Sequence, residues 1–174
     1  MPAAAASALW NGGCKAGQRK IGERTFPYFG LPLDEADWMR RAEQTIGQIG
    51  NQLGQPAPET PLFIASSSFQ IGHFEQMGAP FDLPLAAASF SRQIGDWLGL
   101  SGANYSLSNA CISGFSALDA ARGLIGAGLI DDAIVLGVEL VNDSTLAGFA
   151  AMELLSRTSG RPFDAHRDGM VLGE

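Results

Sequence analysis

Cysteine and histidine are scarce in this chain, which has two of each among its 174 residues. Cys14 and Cys111 are too few for a disulfide framework, so a reducing compartment is the natural environment of the protein. Around the histidines, His73 and His166, there is no metal-ligand spacing, and we expect no bound metal. The sequence also has no glycine loop of the kind that cradles phosphates, and we expect no cofactor.

The chain also lacks long apolar runs and an excess of basic residues. No stretch approaches the roughly 20 apolar residues that a transmembrane helix requires. Residues 1–6 have neither the basic region nor the apolar core of a signal peptide. The 11 Lys and Arg residues are outnumbered by 18 Asp and Glu, which argues against nucleic acid because phosphate contacts need clustered basic side chains. We therefore expect a cytoplasmic protein with no membrane or nucleic-acid partner.

What is present is typical of a globular α/β protein. Hydrophobic residues make up 46% of the chain and charged residues 17%. Apolar spacing predicts a helix that Asp34 caps and Gly54 ends, and short apolar runs predict buried strands between further helices. The predicted strands are 62–65, 104–107 and 133–136, the further helices are 84–98 and 113–127, and residues 72–82 are expected to form a loop. This alternation predicts a layered α/β fold with a mainly parallel sheet.

The most informative stretch is Ser-Asn-Ala-Cys-Ile-Ser-Gly at residues 108–114. It places Cys111 between a predicted strand and a predicted helix, with the following amides expected to point at the thiol. A helix N-terminus favours the thiolate, which is the nucleophilic form. Small and apolar residues at 114–121 predict a buried helix, which would hold a nucleophile rigidly. The alternative is that Cys111 is a small core residue, the usual environment of a free cysteine.

Further patterns surround Cys111. Gly-Leu-Ser-Gly at 99–102 precedes the strand, Ala-Cys-Ile-Ser-Gly at 110–114 opens the helix, and Pro-Phe-Asp-Ala-His-Arg-Asp-Gly begins at Pro162. Together these resemble the β-ketoacyl carrier-protein synthases that extend with malonyl units, clearly over about residues 85–174 and more loosely back to Trp10. Ala103 stands where that family usually has proline, and Asn109 where it usually has threonine or serine.

The resemblance implies a thiolase-like α/β fold built from two similar halves. Residues 1–174 are then a single N-terminal-type domain, a parallel or mixed sheet with helices packed on it, incomplete at both ends. Residues 1–33 are expected to form an irregular leading segment. The resemblance also implies that the C-terminal half, with two catalytic histidines and a second oxyanion-hole amide, is absent from this sequence. Neither His73 nor His166 occupies a histidine position of the family.

The resemblance further implies an acyltransferase of fatty acid or polyketide synthesis. Cys111 matches the nucleophile that takes an acyl group from a carrier-protein thioester, and its own amide would be one oxyanion donor. Phe149 matches a phenylalanine that lines the acyl pocket. The implied partners are an acyl carrier protein and a second synthase subunit, in a homodimer or heterodimer. Two alternatives stay open: a non-catalytic partner of a complete synthase, and an inactive truncated product.

Three charged residues near the end of the chain form a separate candidate group. Asp164, Arg167 and Asp168 lie within one tight turn, with the arginine between the acids. Their spacing favours an ion-paired brace over a pair of acid and base groups. Both histidines are expected to be solvated or locally hydrogen-bonded, without a catalytic role.

Overall fold

The computed structural model of the protein describes residues 17–174, so Trp10 and Cys14 lie outside the described residues. Within that range the chain forms two compact units, one of residues 35–140 and one of residues 17–34 with 141–174. None of the helices found there is both long and apolar enough to cross a membrane. The elements in chain order are β1 (Gly17–Ile21), β2 (Arg24–Phe29), α1 (Trp38–Gly50), β3 (Leu62–Ala65), α2 (Ile71–Met77), α3 (Leu83–Trp97), β4 (Asn104–Leu107), α4 (Ser113–Gly126), β5 (Ile134–Gly137), α5 (Asp143–Ala151) and β6 (Leu172–Gly173).

The unit of residues 35–140 is built on a parallel sheet with the strand order β4-β3-β5. Leu62 at the start of β3 pairs with Asn104 and Ile134, and Ala65 at its end pairs with Leu107 and Gly137. All four residues of β3 are buried, which is expected of the middle strand of a parallel sheet covered by helices. The predicted strands at 62–65 and 104–107 are confirmed, and the third is shifted by one residue.

Helix α4 packs against this sheet along one face. Ala117 and Ala121 are buried in the same apolar cluster as Phe63 and Ala65 of β3. The opposite face remains open, because apolar side chains there are more than half exposed: Phe115 76%, Leu118 55% and, just past the helix, Leu129 70%. The prediction of a buried helix is therefore wrong for that face within this chain.

One helix begins later than the sequence predicts, and another forms where the sequence predicts a loop. Helix α1 begins after Asp37, whose side chain accepts a hydrogen bond from the Arg40 amide, so the cap lies three residues later than the predicted Asp34. Helix α2 begins one residue before the stretch predicted to be a loop and occupies its first part. Gly78 has φ +60° and ends this helix in the left-handed conformation that favours glycine. Gly72 therefore lies within a short helix, and Gly78 ends that helix.

The second unit corrects the expectation of an irregular segment at residues 1–33. In its described part, β1 and β2 form an antiparallel hairpin around Gly22, and β2 also pairs in parallel with β6. Strand β1, Gly-Gln-Arg-Lys-Ile, is mostly exposed, so it has no apolar alternation that sequence analysis could detect. The core of this unit is an apolar cluster that β2 shares with α5 and the segment after it: Phe26, Tyr28, Leu146, Ala150 and Leu155.

Gly102 lies where the loop after α3 crosses the segment before β3. The amides of Ser101 and Gly102 both donate to the Pro58 carbonyl, at 2.7 and 3.2 Å. A Cβ on Gly102 would lie 2.2 Å from the carbonyl oxygen of Glu59, which is closer than two non-bonded atoms can approach. The second glycine of the pattern at 99–102 is therefore required by this backbone crossing.

We predict that Gly102→Ala destabilises the protein by about 1–3 kcal/mol, because the added methyl group must displace backbone. The control is Gly123→Ala in the interior of α4, where a Cβ meets nothing within 4 Å. There alanine should stabilise the helix by up to about 1 kcal/mol. Urea unfolding followed by circular dichroism measures both changes. Equal stability of Gly102→Ala and wild type would contradict the close crossing.

Candidate active site

Three chain segments meet at the carboxyl edge of the parallel sheet. Strands β3, β4 and β5 end side by side at Ala65, Leu107 and Gly137. The ladder continues past these ends, because the Ser66 amide donates to Leu107 and the Val138 amide donates to Ala65. Open α/β sheets bind their ligands at this edge. A ligand of this unit is therefore expected at the segments that follow the three strands, which are residues 66–69, 108–113 and 138–140.

Cys111 lies at this edge, two residues before the start of α4. Its side chain is exposed, which does not fit the alternative of a core residue. The helix that follows begins at Ser113, as the sequence predicts. The thiol is therefore accessible to a reagent in this chain.

The turn that carries Cys111 is held by backbone bonds on both sides of it. The Ile112 amide donates to the Asn109 carbonyl at 3.1 Å, and the Ser113 amide donates to the Ala110 carbonyl at 3.2 Å. The two amides that follow Cys111 thus close the turn. The expectation that the following amides point at the thiol is wrong for these two.

Ser113 adds a side-chain contact that the sequence analysis missed. Its hydroxyl accepts a hydrogen bond from the Asn109 amide and donates one to the Ala110 carbonyl, each at 2.7 Å. Ala110 has φ +47°, a conformation that residues other than glycine seldom adopt. A serine two positions after the candidate nucleophile was the available signal, but sequence alone does not show that its hydroxyl turns back to Ala110.

A carboxylate surrounded by serines occupies the neighbouring part of the same edge. Glu139 accepts hydrogen bonds from the Ser66 hydroxyl at 3.2 Å and the Ser67 hydroxyl at 2.8 Å, and also from the Ser67 amide and the Ser68 hydroxyl. No role for these residues follows from the motifs in the sequence. The available signal was an acid two residues after β5 and three serines directly after β3, since ends of adjacent parallel strands meet at one edge.

The turn at residues 164–168 is held by hydrogen bonds to backbone and hydroxyl groups. The Asp164 carboxylate accepts from the His166 amide at 2.7 Å, and the Arg167 guanidinium donates to the Asp164 carbonyl at 3.0 Å. Ser156 donates to Asp168 at 2.7 Å, which lowers the pKa of that carboxyl below its ordinary value. Among residues 17–174, Arg167 forms no ion pair with either acid, so the predicted ion-paired brace is wrong.

The two histidines differ in their surroundings. His73 is half-buried in α2, with its ring centroid 6.3 Å from that of Trp38 and 5.8 Å from that of Phe74. His166 is exposed in the turn described above. Among residues 17–174, no group of three or more His, Cys, Asp or Glu side chains is arranged to hold a metal ion.

Phe149 lies in α5, in a different compact unit from Cys111. Its side chain is half-buried and packs against the apolar cluster around Phe26 and Leu146. A cavity of about 230 Å³ opens nearby in the same unit, but Phe149 is not among the described residues that line it. The assignment of Phe149 to an acyl pocket stays a prediction.

Comparison with known proteins identifies one family over most of the chain. The family model described as "Beta-ketoacyl synthase, N-terminal domain" matches residues 50–174. A 3-oxoacyl-acyl-carrier-protein synthase 2 of Staphylococcus aureus is 31% identical over 145 residues, which cover 76% of this chain and 34% of that protein. The chloroplastic 3-oxoacyl-acyl-carrier-protein synthase I of Arabidopsis thaliana is 38% identical over 104 residues, which cover 55% of this chain and 22% of that protein. The chain thus spans about a fifth to a third of these relatives.

Solved structures with the same fold come from the same group of proteins. A β-ketoacyl synthase from Burkholderia phymatum superposes with a TM-score of 0.59 at 19% identity, over 92% of this chain and 50% of that one. A ketosynthase from Xenorhabdus doucetiae, solved in complex with its chain length factor, gives 0.62 at 20% identity, over 91% of this chain and 48% of that one. The predicted fold class, an α/β half of the thiolase-like fold, is confirmed.

We predict that Cys111 is the more reactive of the two cysteines, because it is exposed on an ordered turn before a helix. Folded protein is treated with a limiting amount of iodoacetamide, and the labelled peptides are mapped by mass spectrometry. The Cys111 peptide should carry most of the label, and Cys111→Ala should lose it. Faster labelling of Cys14 in the folded protein would contradict the prediction.

Proposed function

This chain belongs to the β-ketoacyl synthase family, and we propose that its Cys111 receives the acyl group in an acyltransferase reaction. The observation that supports the proposal is an exposed thiol on a braced turn between β4 and α4. That turn carries the Ala-Cys-Ile-Ser-Gly pattern and lies inside the region that the family model matches. The site is also at the sheet edge where α/β proteins bind ligands.

The first stage is transfer of an acyl group to sulfur. The Cys111 thiolate attacks the carbonyl carbon of an acyl thioester on a carrier protein, and the new Sγ–C bond forms. The bond from that carbon to the carrier sulfur breaks, and the departing thiolate takes up one proton, which balances the proton that Cys111 lost. Negative charge develops on the carbonyl oxygen, and the Cys111 amide is the proposed donor that stabilises it.

The second stage joins carbon to carbon. A malonyl thioester loses CO₂, its carbanion attacks the acyl-cysteine carbonyl, and the Cys111 thiolate leaves and is reprotonated. The product is a 3-oxoacyl thioester on the carrier. This stage needs donors for the charge that forms on the malonyl thioester, and the family resemblance assigns them to two histidines of the C-terminal half. Neither His73, whose ring packs near Trp38 and Phe74, nor His166 is proposed for this role.

The names of two curated relatives support a proposed partner and a proposed pathway. The S. aureus and A. thaliana proteins are 3-oxoacyl-acyl-carrier-protein synthases, so an acyl carrier protein is the proposed acyl donor for Cys111. Fatty acid synthesis is the proposed pathway, with polyketide synthesis as the second candidate. We propose the cytoplasm as the location of this activity. Phe149 is the proposed contact of the acyl chain.

Exposed apolar surface supports a second proposal, that this chain pairs with another subunit. Strand β4 lies at the edge of its sheet, and its Tyr105 is partly exposed. Phe115 and Leu118 of α4 add an exposed apolar surface in the same unit. An unpaired edge strand and an apolar surface favour association with a second copy or with a related synthase subunit. A non-catalytic role beside a complete synthase is the alternative that this surface also fits.

We predict a dimer or larger assembly at micromolar concentration, measured by sedimentation velocity. Phe115→Lys should shift the protein towards monomer, because it places a charge in the apolar surface of α4. Leu53→Lys is the control, since Leu53 is also exposed but lies just after α1. A monomer for the unchanged chain across this range would contradict the proposal.

We predict that the 174-residue chain, assayed alone, forms no carbon–carbon bond. Each positioned acid, base or donor typically contributes about 10²–10⁴-fold to the reaction rate. A chain without the two histidines that the family resemblance implies should therefore not catalyse the condensation. The chain is incubated with acyl- and malonyl-carrier protein, and 3-oxoacyl product is sought by mass spectrometry. The control is a complete synthase of the family under the same conditions. Product at a comparable rate would show that the catalytic groups are wrongly assigned.

A further inference from the structure

We propose that Ser113 is a positioning residue that orients the Cys111 amide as the oxyanion donor. The inference rests on the proposed acyl transfer to Cys111 and adds a residue to it. It concerns the peptide group between Ala110 and Cys111, which contains the carbonyl of the first residue and the amide of the second. Whatever fixes that carbonyl also fixes the amide.

The geometry of a peptide group carries the argument. The group is planar and, because residues 17–174 contain no cis peptide bond, its carbonyl and N–H point in opposite directions. The Ala110 carbonyl accepts from both the amide and the hydroxyl of Ser113, at 3.2 and 2.7 Å. The carbonyl is therefore turned towards the start of α4. The Cys111 N–H is turned the other way, out of the closed turn.

The Ser113 hydroxyl is needed because the backbone conformation of Ala110 is unfavourable without hydrogen bonds that stabilise it. Ala110 has φ +47°, a strained conformation for a residue with a Cβ, which persists only where the surroundings impose it. Ser113 is 5% exposed and uses its hydroxyl in both directions, as an acceptor for the Asn109 amide and a donor to the Ala110 carbonyl. Rotation of the Ala110–Cys111 peptide would break the bonds to that carbonyl. The hydroxyl thus favours the one orientation that presents the Cys111 amide.

Ser116 provides a matched control on the same helix. Its hydroxyl accepts a hydrogen bond from the Asn109 side-chain amide at 3.2 Å, and it does not contact the Ala110–Cys111 peptide. A serine-to-alanine change there removes the same atoms three residues along the chain. It should leave the orientation of the Cys111 amide unchanged.

The test compares two reactions of the same thiol. Attack on a thioester creates an oxyanion and uses the Cys111 amide, whereas alkylation by iodoacetamide creates none. Rates are measured by peptide mapping on the full 174-residue chain, so that labelling of Cys111 is separated from labelling of Cys14, with the octanoyl thioester of N-acetylcysteamine as the acyl probe. Circular dichroism verifies folding of every variant. The readout is the ratio of the acylation rate to the alkylation rate at Cys111.

We expect Ser113→Ala to lower this ratio by about 10-fold or more, since one oxyanion donor is worth about 10²–10³-fold and misorientation loses part of that. Alkylation should change by less than about threefold, because it needs the thiolate alone. Ser113→Thr keeps the hydroxyl and should keep the ratio, as should Ser116→Ala. Simple loss of packing would lower both rates together and leave the ratio unchanged.

The outcomes separate this inference from the proposed function. Acylation of the unchanged chain with an unaltered ratio in folded Ser113→Ala overturns the role of Ser113 and leaves the proposed function standing. No acylation of the unchanged chain, with Cys111 still alkylated, overturns the proposed function and this inference with it. Should Ser113→Ala not fold, Ser113→Val is compared with Ser113→Thr, which has the same shape plus the hydroxyl. Equal ratios for that pair overturn the inference.

Discussion

The parallel pairing of β3 with β4 and β5 is the constraint on which the candidate site depends. Leu62, Phe63 and Ile64 are buried in the middle strand, and burial of such side chains contributes about 1.5–3 kcal/mol each. Because the three strands are in register, their carboxyl ends coincide. The Cys111 turn, the serines after β3 and Glu139 after β5 share one edge as a consequence. A slip of one residue would turn the side chains of the shifted strand to the opposite face of the sheet.

Two turns at this edge are built on the same physical principle. Ala110 and Phe69 both have positive φ, +47° and +44°, without being glycine. In each turn a buried serine hydroxyl provides compensating hydrogen bonds, Ser113 for the first and Ser66 for the second. Strained backbone of this kind persists where the surroundings over-determine it, and it is concentrated at functional sites. The edge is thus held by side-chain to backbone bonds in addition to the sheet ladder.

The sequence predicted the parts of the fold in which local pattern and environment agree. The short apolar run at 62–65 is a buried strand, and the small residues Ala117 and Ala121 form the face of α4 that packs on it. It failed for β1, whose exposed polar residues pair through backbone atoms that have no pattern in the side chains. It also failed for α2, because Gly78, which favours a loop in the sequence, ends a helix in the structure. The place of Cys111 was predictable, but the hydroxyl contact of Ser113 depends on a turn geometry that spacing does not encode.

The claim at the centre of this account is that Cys111 accepts an acyl group as a thioester. The most direct measurement is peptide mapping of the folded chain after incubation with an acyl thioester, beside Cys111→Ala treated in the same way. The account predicts an acyl adduct on the peptide that contains Cys111, removed by hydroxylamine and absent from the variant. Cys14 provides an internal comparison, since a non-specific thiol reaction would label both peptides. An adduct that persists in Cys111→Ala, or one found only on the Cys14 peptide, would contradict the claim.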